Sequence, residues 1–551
     1  MSVPNDSGVS VPNDSRVSDW NFGDVWELVA DRLPDARALV HGGRERSWAE
    51  FDRRADGVAR ALLDAGVARQ DKFAQYLYNG PEYLEAVYGA WKTGLVPVNT
   101  NYRYGPDELA YLWDNADAVA VVFHGSLAER AAEVRPRVPR VRLWLWVDDG
   151  TGECPDWAVP YEAVATASGP SRVRAPWGRS GDDLFLLYTG GTTGRPKGVM
   201  WRQDDLFVTL NRGAALRYPE DGGLDDVRSA IQRPGFSLLP ACPLMHGTGV
   251  FTSLTSLSCG GSVVTLTSRH FDVEELLDTV ERDRVTTLVI VGDAFAKPVL
   301  RSLDGAPGRW DLSSLKMIVS SGVMWSASTK QGLLRHLPRV YLVDTFASSE
   351  AINMGSSLSS AKETVSTASF SLSPDTRVVT DDDRWVEPGS PQQGMVAQRG
   401  RVPIGYYKDE EKSARTFRMI EGQRWSIPGD YATVEADGTI RLLGRGSQCI
   451  NTGGEKVYPE EVEEVLKEHP SIRDAVAVGV PDERFGEAIT AVVELTPGAQ
   501  LDEPGVIAHV KSRLAPFKAP KQVVAVETIG RSASGKVDYR RIRDYAVTRV
   551  R

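Results

Sequence analysis

Between Trp20 and Leu443, short apolar runs recur between stretches of helical spacing, and this alternation limits the fold more than any other feature of the chain. Residues 118–123 (AVAVVF), 142–147 (RLWLWV), 183–188 (DLFLLY), 263–266, 286–291 (TTLVIV) and 316–320 (KMIVS) read as buried strands. Residues 25–33 and 48–65 carry apolar side chains at helical spacing. Strands separated by helices imply parallel sheets covered by helices on both faces. A chain of 551 residues needs more than one core.

The pattern changes near Gly444-Arg445-Gly446-Ser447. Beyond it, 459–468 is a charged helix, 475–480 and 489–495 are strands, 506–514 is a helix and 522–526 a strand. The expected fold is therefore a large α/β N-terminal domain over 20–444, with parallel-type sheets, and a small α+β C-terminal domain over 445–551. The small domain carries 16 basic and 16 acidic residues, so the acidic excess of the chain sits on the large one. Residues 1–19, a short duplication rich in Ser, Asn, Asp and Pro, predict a disordered arm.

Several function classes are excluded early. A net charge of −10 argues against wrapping a nucleic-acid backbone. No run approaches the roughly 20 apolar residues of a membrane span, and the N-terminus lacks a secretory pattern. Cys154, Cys242, Cys259 and Cys449 lie far apart, without metal-ligand spacing or a disulfide framework. A cytoplasmic enzyme with free thiols is expected.

Residues 183–188 run into Thr189-Gly190-Gly191-Thr192-Thr193-Gly194-Arg195-Pro196-Lys197. A loop of glycines and threonines after a buried strand brings backbone N–H groups and hydroxyls close to phosphate oxygens, and Lys197 adds a point charge. It is not a Walker A loop, which needs Gly-Lys-Ser/Thr in succession, nor a Rossmann G-x-G-x-x-G.

The string 188–199 (YTGGTTGRPKGV) resembles the phosphate loop of the adenylate-forming superfamily, which holds acyl-CoA synthetases, peptide-synthetase adenylation domains and firefly-type luciferases. The resemblance covers nearly the whole chain after the arm. The segments 99–104 (NTNYRY), 292–294 (GDA) and 321–326 (SGVMWS) are similar to actinobacterial fatty-acyl and steroid-side-chain CoA ligases. The resemblance implies a mobile small domain and an ATP-dependent enzyme. It makes an adenylate from an acid and then, on CoA, a thioester.

It also implies roles, residue by residue. Lys536, in RSASGK, would be the adenylation lysine, acting with Glu350, Thr192, Lys197 and His246. Thr189, Gly190, Gly191, Thr192, Thr193, Gly194 and Lys197 would hold the phosphates of ATP. Ser321, Gly322, Asp344, Thr345, Phe346 and Ser349 would build the nucleotide site, with the Phe346 ring on adenine. Asp430 would accept from the ribose hydroxyls and Arg445 would contact ribose or phosphate. Glu350 with Thr192 would hold Mg²⁺. His246, Gly247, Gly292, Val323, Ala347 and Asn353 would line the acid pocket.

Two positions depart from the family pattern, Ser447 at the hinge and Ala347 where glycine is usual. A methyl at Ala347 and a polar Asn353 point toward a small or polar acid. Three functions are open on these residues. The first is an acid–CoA ligase, with a carrier-protein thiol as an alternative acceptor and a homodimer as a common assembly. The second is a diazotase activating nitrite for an arylamine. The third is a non-catalytic AMP-binding protein.

Overall fold

A computed structural model describes residues 18–167, 169, 171–189, 195–452, 455–482, 486–532 and 535–550. Most of the arm, the loop residues 190–194 and residues 453 and 454 lie outside the described residues.

Two sheets share the large N-terminal part. The first has the strand order Gly405–Tyr406, Lys197–Arg202, Leu184–Thr189, Val96–Asn99, Lys72–Tyr76, Ala118–His124, Leu143–Val147 and Val159–Pro160. From Leu184–Thr189 onward these strands are parallel. The second sheet runs in parallel through Arg37–His41, Ser262–Thr265, Ser237–Pro240, Thr287–Ile290, Met317–Ser321 and Tyr341–Ser348. The strands read from their continuous apolar runs are here, displaced by a residue or so. Ala118–His124 is buried at all seven positions, as a strand covered on both faces must be.

The remainder of the second sheet is not anticipated by the apolar pattern. Tyr341–Ser348 turns back into Ala351–Ser359, and the sheet continues with antiparallel strands as far as Ile440–Arg445. These strands mix Ser, Thr, Gln and Arg with apolar residues because only one face is buried, which removes the continuous apolar signal.

The core between the sheets is aromatic. Trp26, Trp48 and Trp91, all fully buried, pack with Phe22, Phe51 and Tyr88 from the helices Phe22–Arg32, Trp48–Asp64 and Pro81–Lys92. Ser18 and Asp19, at the end of the expected arm, are anchored. Arg401 donates to the Ser18 hydroxyl at 3.0 Å, and Asp19 accepts from the Gly181 amide.

The small C-terminal sheet pairs Ile472–Asp482 with Gly486–Leu495 and adds Gln522–Val526 in parallel. Alternation along Ile472–Asp482 sends Ala475 and Ala477 toward the helices Pro459–Lys467 and Glu503–Lys511, and Val476, Val478 and Val480 toward the helix Tyr539–Arg549. Among the described residues no helix is long and apolar enough to cross a membrane, and no disulfide joins the four cysteines.

Candidate active site

One cavity of about 1720 Å³ lies at the C-terminal ends of the parallel strands and reaches down the face of the second sheet. That is where open α/β sheets bind ligands. Its wall carries Thr189 from one sheet, Ser321, Gly322, Thr345, Ala347 and Ser349 from the other, and Lys536 from the small domain.

Asn99 sets the geometry between the sheets. Its side-chain amide donates to the carbonyls of Tyr188 (2.9 Å) and Met245 (2.6 Å) and accepts from the Tyr188 amide at 2.6 Å. One buried carboxamide thus fixes the entry of the Gly/Thr loop to the segment carrying His246. Ser321 Oγ donates to the Thr345 carbonyl and Thr345 Oγ1 to the Ser320 carbonyl, both at 3.0 Å, so these hydroxyls lock neighbouring strands.

Glu350 follows the strand Tyr341–Ser348. Its Oε1 accepts from the Tyr406 hydroxyl at 2.7 Å, and its carbonyl accepts from Ser426 Oγ at 2.6 Å. Neither partner has a sequence signal, since each lies more than fifty positions away in an ordinary strand. Lys197 is paired with Asp409 at 3.1 Å, next to the same tyrosine.

Asp430 and Arg445 face each other across two paired strands, with Arg445 Nε 3.1 Å from Asp430 Oδ1. The other oxygen, Oδ2, is buried and has no protein partner. An orphaned buried carboxylate oxygen is costly and suits a ligand hydroxyl. The Asp430 carboxylate holds the Arg445 guanidinium well above its ordinary range, helped by nearby Glu350.

Lys536 reaches this group from the small domain. Its loop closes on itself, because Lys536 N donates to Ser532 Oγ (3.0 Å) and Gly535 N to the Ser532 carbonyl (2.9 Å). Gly535 has φ +74°, and a Cβ there would come within 3.0 Å of Ala294 Cβ. The loop is therefore seated on the segment 291–294 of the large domain. The Lys536 side chain is exposed and lines the cavity. The surrounding protein, and then Arg445, lower its pKa, with Glu350 and Asp430 opposing.

His246 caps the helix Gly247–Ser258 and lines the cavity. Burial, then Lys536 and Arg103, push its pKa down to about 3, so the ring is neutral at working pH. A neutral imidazole gives no inflection between pH 5 and 7.5. The pH–rate profile of His246→Gln is expected to parallel that of the parent there, and a lost inflection would contradict this environment.

Three expectations are corrected. Phe346 does not face the cavity. It is buried against Phe370, with centroids 5.6 Å apart, because strand alternation turns Val343, Thr345 and Ala347 toward the cavity instead. Asp344 also points away, into a buried ion pair with Lys330 at 2.9 Å. Gly292 and Val323 do not line the pocket. Gly292 has φ +54°, and a side chain there would strike the carbonyls of Val323 and Met324, so it is glycine for close backbone contact behind Val291. His246, Gly247, Ala347 and Asn353 do line the cavity. Gly190, Gly191, Thr192, Thr193 and Gly194 lie outside the described residues.

Ala347 does not close the cavity, which continues along a channel. Gly247, Thr248, Phe251, Thr252, Thr255, Ser256 and Cys259 line it, which is one face of the helix Gly247–Ser258 and its cap. At about 1.5 Å per residue its 12 residues span roughly 18 Å. The helix looks polar, yet three of its lining hydroxyls already donate to backbone carbonyls. Thr252 donates to the Thr248 carbonyl (2.7 Å), Thr255 to that of Phe251 (2.9 Å) and Ser256 to that of Phe236 (3.2 Å). Leu238, Met317, Val319, Val343 and Ile352 complete an apolar wall.

Comparisons with known proteins match this chain along most of its length. Residues 26–407 match the AMP-binding enzyme family, and residues 461–536 the AMP-binding enzyme C-terminal domain. The chain is 39% identical over 534 residues to a medium/long-chain-fatty-acid–CoA/3-oxocholest-4-en-26-oate–CoA ligase of Mycolicibacterium smegmatis, covering 95% of this chain and 96% of that one. It is 40% identical to a 3-oxocholest-4-en-26-oate–CoA ligase of Rhodococcus rhodochrous, with 95% of each chain covered. Among solved structures, ATP-bound MatB from Rhodopseudomonas palustris is similar with a TM-score of 0.79 at 25% identity, over 96% of this chain and all of that one.

Proposed function

Because the chain belongs to the AMP-binding enzyme family, we propose specific roles for its residues and an elongated apolar acid as its substrate. The protein is an AMP-forming acid–thiol ligase that turns an acid into its adenylate and transfers the acyl group to CoA. The observation that carries the residue roles is that Lys536, which lines the cavity, lies within electrostatic reach of Arg445, Glu350 and Asp430, with Asp430 Oδ2 left unpaired.

In the first half-reaction an acid carboxylate oxygen attacks the α-phosphorus of ATP, the bond to the β-phosphate oxygen breaks, and pyrophosphate leaves. The chemistry needs alignment of two anions and stabilisation of charge on the transferring group. Lys536 supplies a cation at the reacting end. Asp430 takes a ribose hydroxyl on Oδ2, and Arg445 contacts the ribose or α-phosphate. The Gly/Thr loop and Lys197 hold the outer phosphates, which requires Lys197 to exchange Asp409 for phosphate.

Among the described residues no group of three acidic, His or Cys side chains is placed to hold a metal ion. The single carboxylate of Glu350 nevertheless fits Mg²⁺, which keeps water and substrate phosphates as its other ligands. With Thr192, Glu350 would hold the ion, whose chemistry is to neutralise phosphate charge. In the second half-reaction a thiol sulfur attacks the acyl carbon, AMP leaves and the thiol proton is released. The small domain rotates about the hinge at residues 444–447 between the two steps. A carrier-protein thiol would meet the same chemistry.

The channel supports the substrate class. Its wall is largely carbon and follows a helix of roughly 18 Å, whereas nitrite would need neither property. The test is ATP-dependent pyrophosphate release with linear acids of increasing length, a steroid side-chain acid, aryl acids, and nitrite with an arylamine. Elongated apolar acids, followed by a CoA thioester, are the expected outcome, and release with nitrite alone would overturn it. Thr255→Trp fills the channel two turns beyond Gly247. It is expected to cut kcat/KM for acids reaching past that point by about tenfold or more and to spare short ones, since each apolar methylene contact is worth about 1–3 kcal/mol.

A further inference from the structure

Glu460 begins the first helix of the small domain, Pro459–Lys467, and lies against the strand Ile440–Arg445 of the large domain. The backbone N–H of Arg445 donates to its carboxyl. Its Oε2 is sealed from solvent and has no partner. Gly444, at φ +133°, leaves room for this contact, because a methyl on that residue would overlap the Glu460 carboxyl.

A carboxyl with one oxygen sealed from solvent and unpartnered is poorly placed to carry charge, although backbone N–H groups of Glu460 itself and of Arg445 oppose this. The surrounding groups make charge worse. On the large domain, Asp430 and Arg445 face it, and Asp430 Oδ1 already pairs with Arg445. On its own helix Glu463 is close. That carboxylate accepts from the Tyr539 hydroxyl of the C-terminal helix (2.8 Å) and from the Ala477 amide (3.1 Å). Glu461 is engaged by Lys518, and Glu464 by Thr367. Lys467 lies 3.7 Å from Glu463, and Glu460 itself has no ion pair among the described residues. Burial, then the Glu463 and Asp430 charges, push its pKa up to about 8.

We propose that Glu460 is a positioning residue for the adenylation step, a carboxyl that latches the small domain in this pose while protonated and releases it when ionised. The inference rests on the adenylation reading above, since the pose it holds is the one that delivers Lys536. Glu460 acts through Arg445 and the domain seat and does not touch substrate. The sign is set by linkage. The docked carboxyl keeps its proton to about pH 8, whereas a released, hydrated carboxyl titrates near its ordinary value of 4.5. Docking is thus strongest at low pH. It weakens by about tenfold per pH unit between those values and levels off above the higher one.

The experiment uses the full chain without ligands. Small-angle scattering from pH 6 to 9.5 is expected to show the parent protein extending as pH rises. Glu460→Gln, which keeps an acceptor for Arg445 N–H and cannot ionise, is expected to stay compact throughout. Gly444→Ala is expected to be extended at every pH. Pyrophosphate release is followed in parallel, and the part of its decline that falls below about pH 8 is expected in the parent and not in Glu460→Gln. A Glu460→Gln protein that follows the parent at each pH overturns the latch, and the loss then belongs to Lys536. Absence of pyrophosphate release from both proteins with every acid counts against the proposed function, while the scattering still decides the latch.

Discussion

Lys536→Ala is expected to slow ATP-dependent pyrophosphate release by about 10²–10³, the cost of removing one preorganised donor from a developing anion. Thioester formation from chemically prepared acyl-AMP and CoA should be spared. The expectation comes from the position of the ammonium. It lines the cavity, faces Arg445 as a like charge, and has Glu350 and Asp430 as partial compensation. Such a cation is under-neutralised until ATP and the acid carboxylate arrive, so its interaction is realised when the two anions are brought together. Its lowered pKa means that the free enzyme loses the Lys536 proton sooner, as pH rises, than an ordinary lysine would. The alkaline limb of kcat/KM for pyrophosphate release should therefore begin early, and the alanine variant should lack it. Equal losses in both half-reactions would show instead that Lys536 only supports the fold.

How far the sequence led depended on whether a residue's partner was local. The parallel strands were legible because a strand buried on both faces must be apolar along its length, as Ala118–His124 is. The antiparallel continuation from Ala351–Ser359 was not, because its pairing partners supply half of each residue's environment. The same distinction divides the site. His246 and Lys536 sit in motifs whose neighbours belong to the same loop, and the structure brings both to the cavity. Phe346 and Asp344 belong to an equally recognisable string, yet which face of a strand a residue occupies depends on register. Here the register with Met317–Ser321 and Ala351–Ser359 turns both away from the cavity. Threonines and serines along Gly247–Ser258 read as a polar wall, and only their hydrogen bonds to helix carbonyls reveal a surface of carbon. Glu460 had no signal at all, being one glutamate among several on a charged helix, distinguished by its contact with Gly444.

The largest effect on stability is expected far from the catalytic cavity, at Lys92. This side chain is fully buried, and its ammonium lies 3.0 Å from Glu27, 2.7 Å from Asp52 and 3.0 Å from Asp56. It joins the helices Phe22–Arg32, Trp48–Asp64 and Pro81–Lys92, which form the aromatic core under the first sheet. Lys92→Met preserves most of the volume and removes the charge. Glu27 keeps Arg174 and Arg179, and Asp52 keeps Arg172 at 2.8 Å and the Tyr88 hydroxyl at 2.6 Å. Asp56 keeps only the Val173 amide at 2.9 Å among its described hydrogen bonds, and burial already raises its pKa. Breaking such a buried group costs about 3–5 kcal/mol, because the partner charge is left uncompensated. A carboxyl whose pKa is raised in the folded state contributes stability at low pH and loses it as pH rises through that pKa. In the variant Asp56 is raised further, so the deficit in the denaturant midpoint should be smaller at pH 5.5 than at pH 8. A deficit that is the same at both pH values would mean that Asp56 is not the stranded charge. An unchanged midpoint would mean that the arginines alone balance the network.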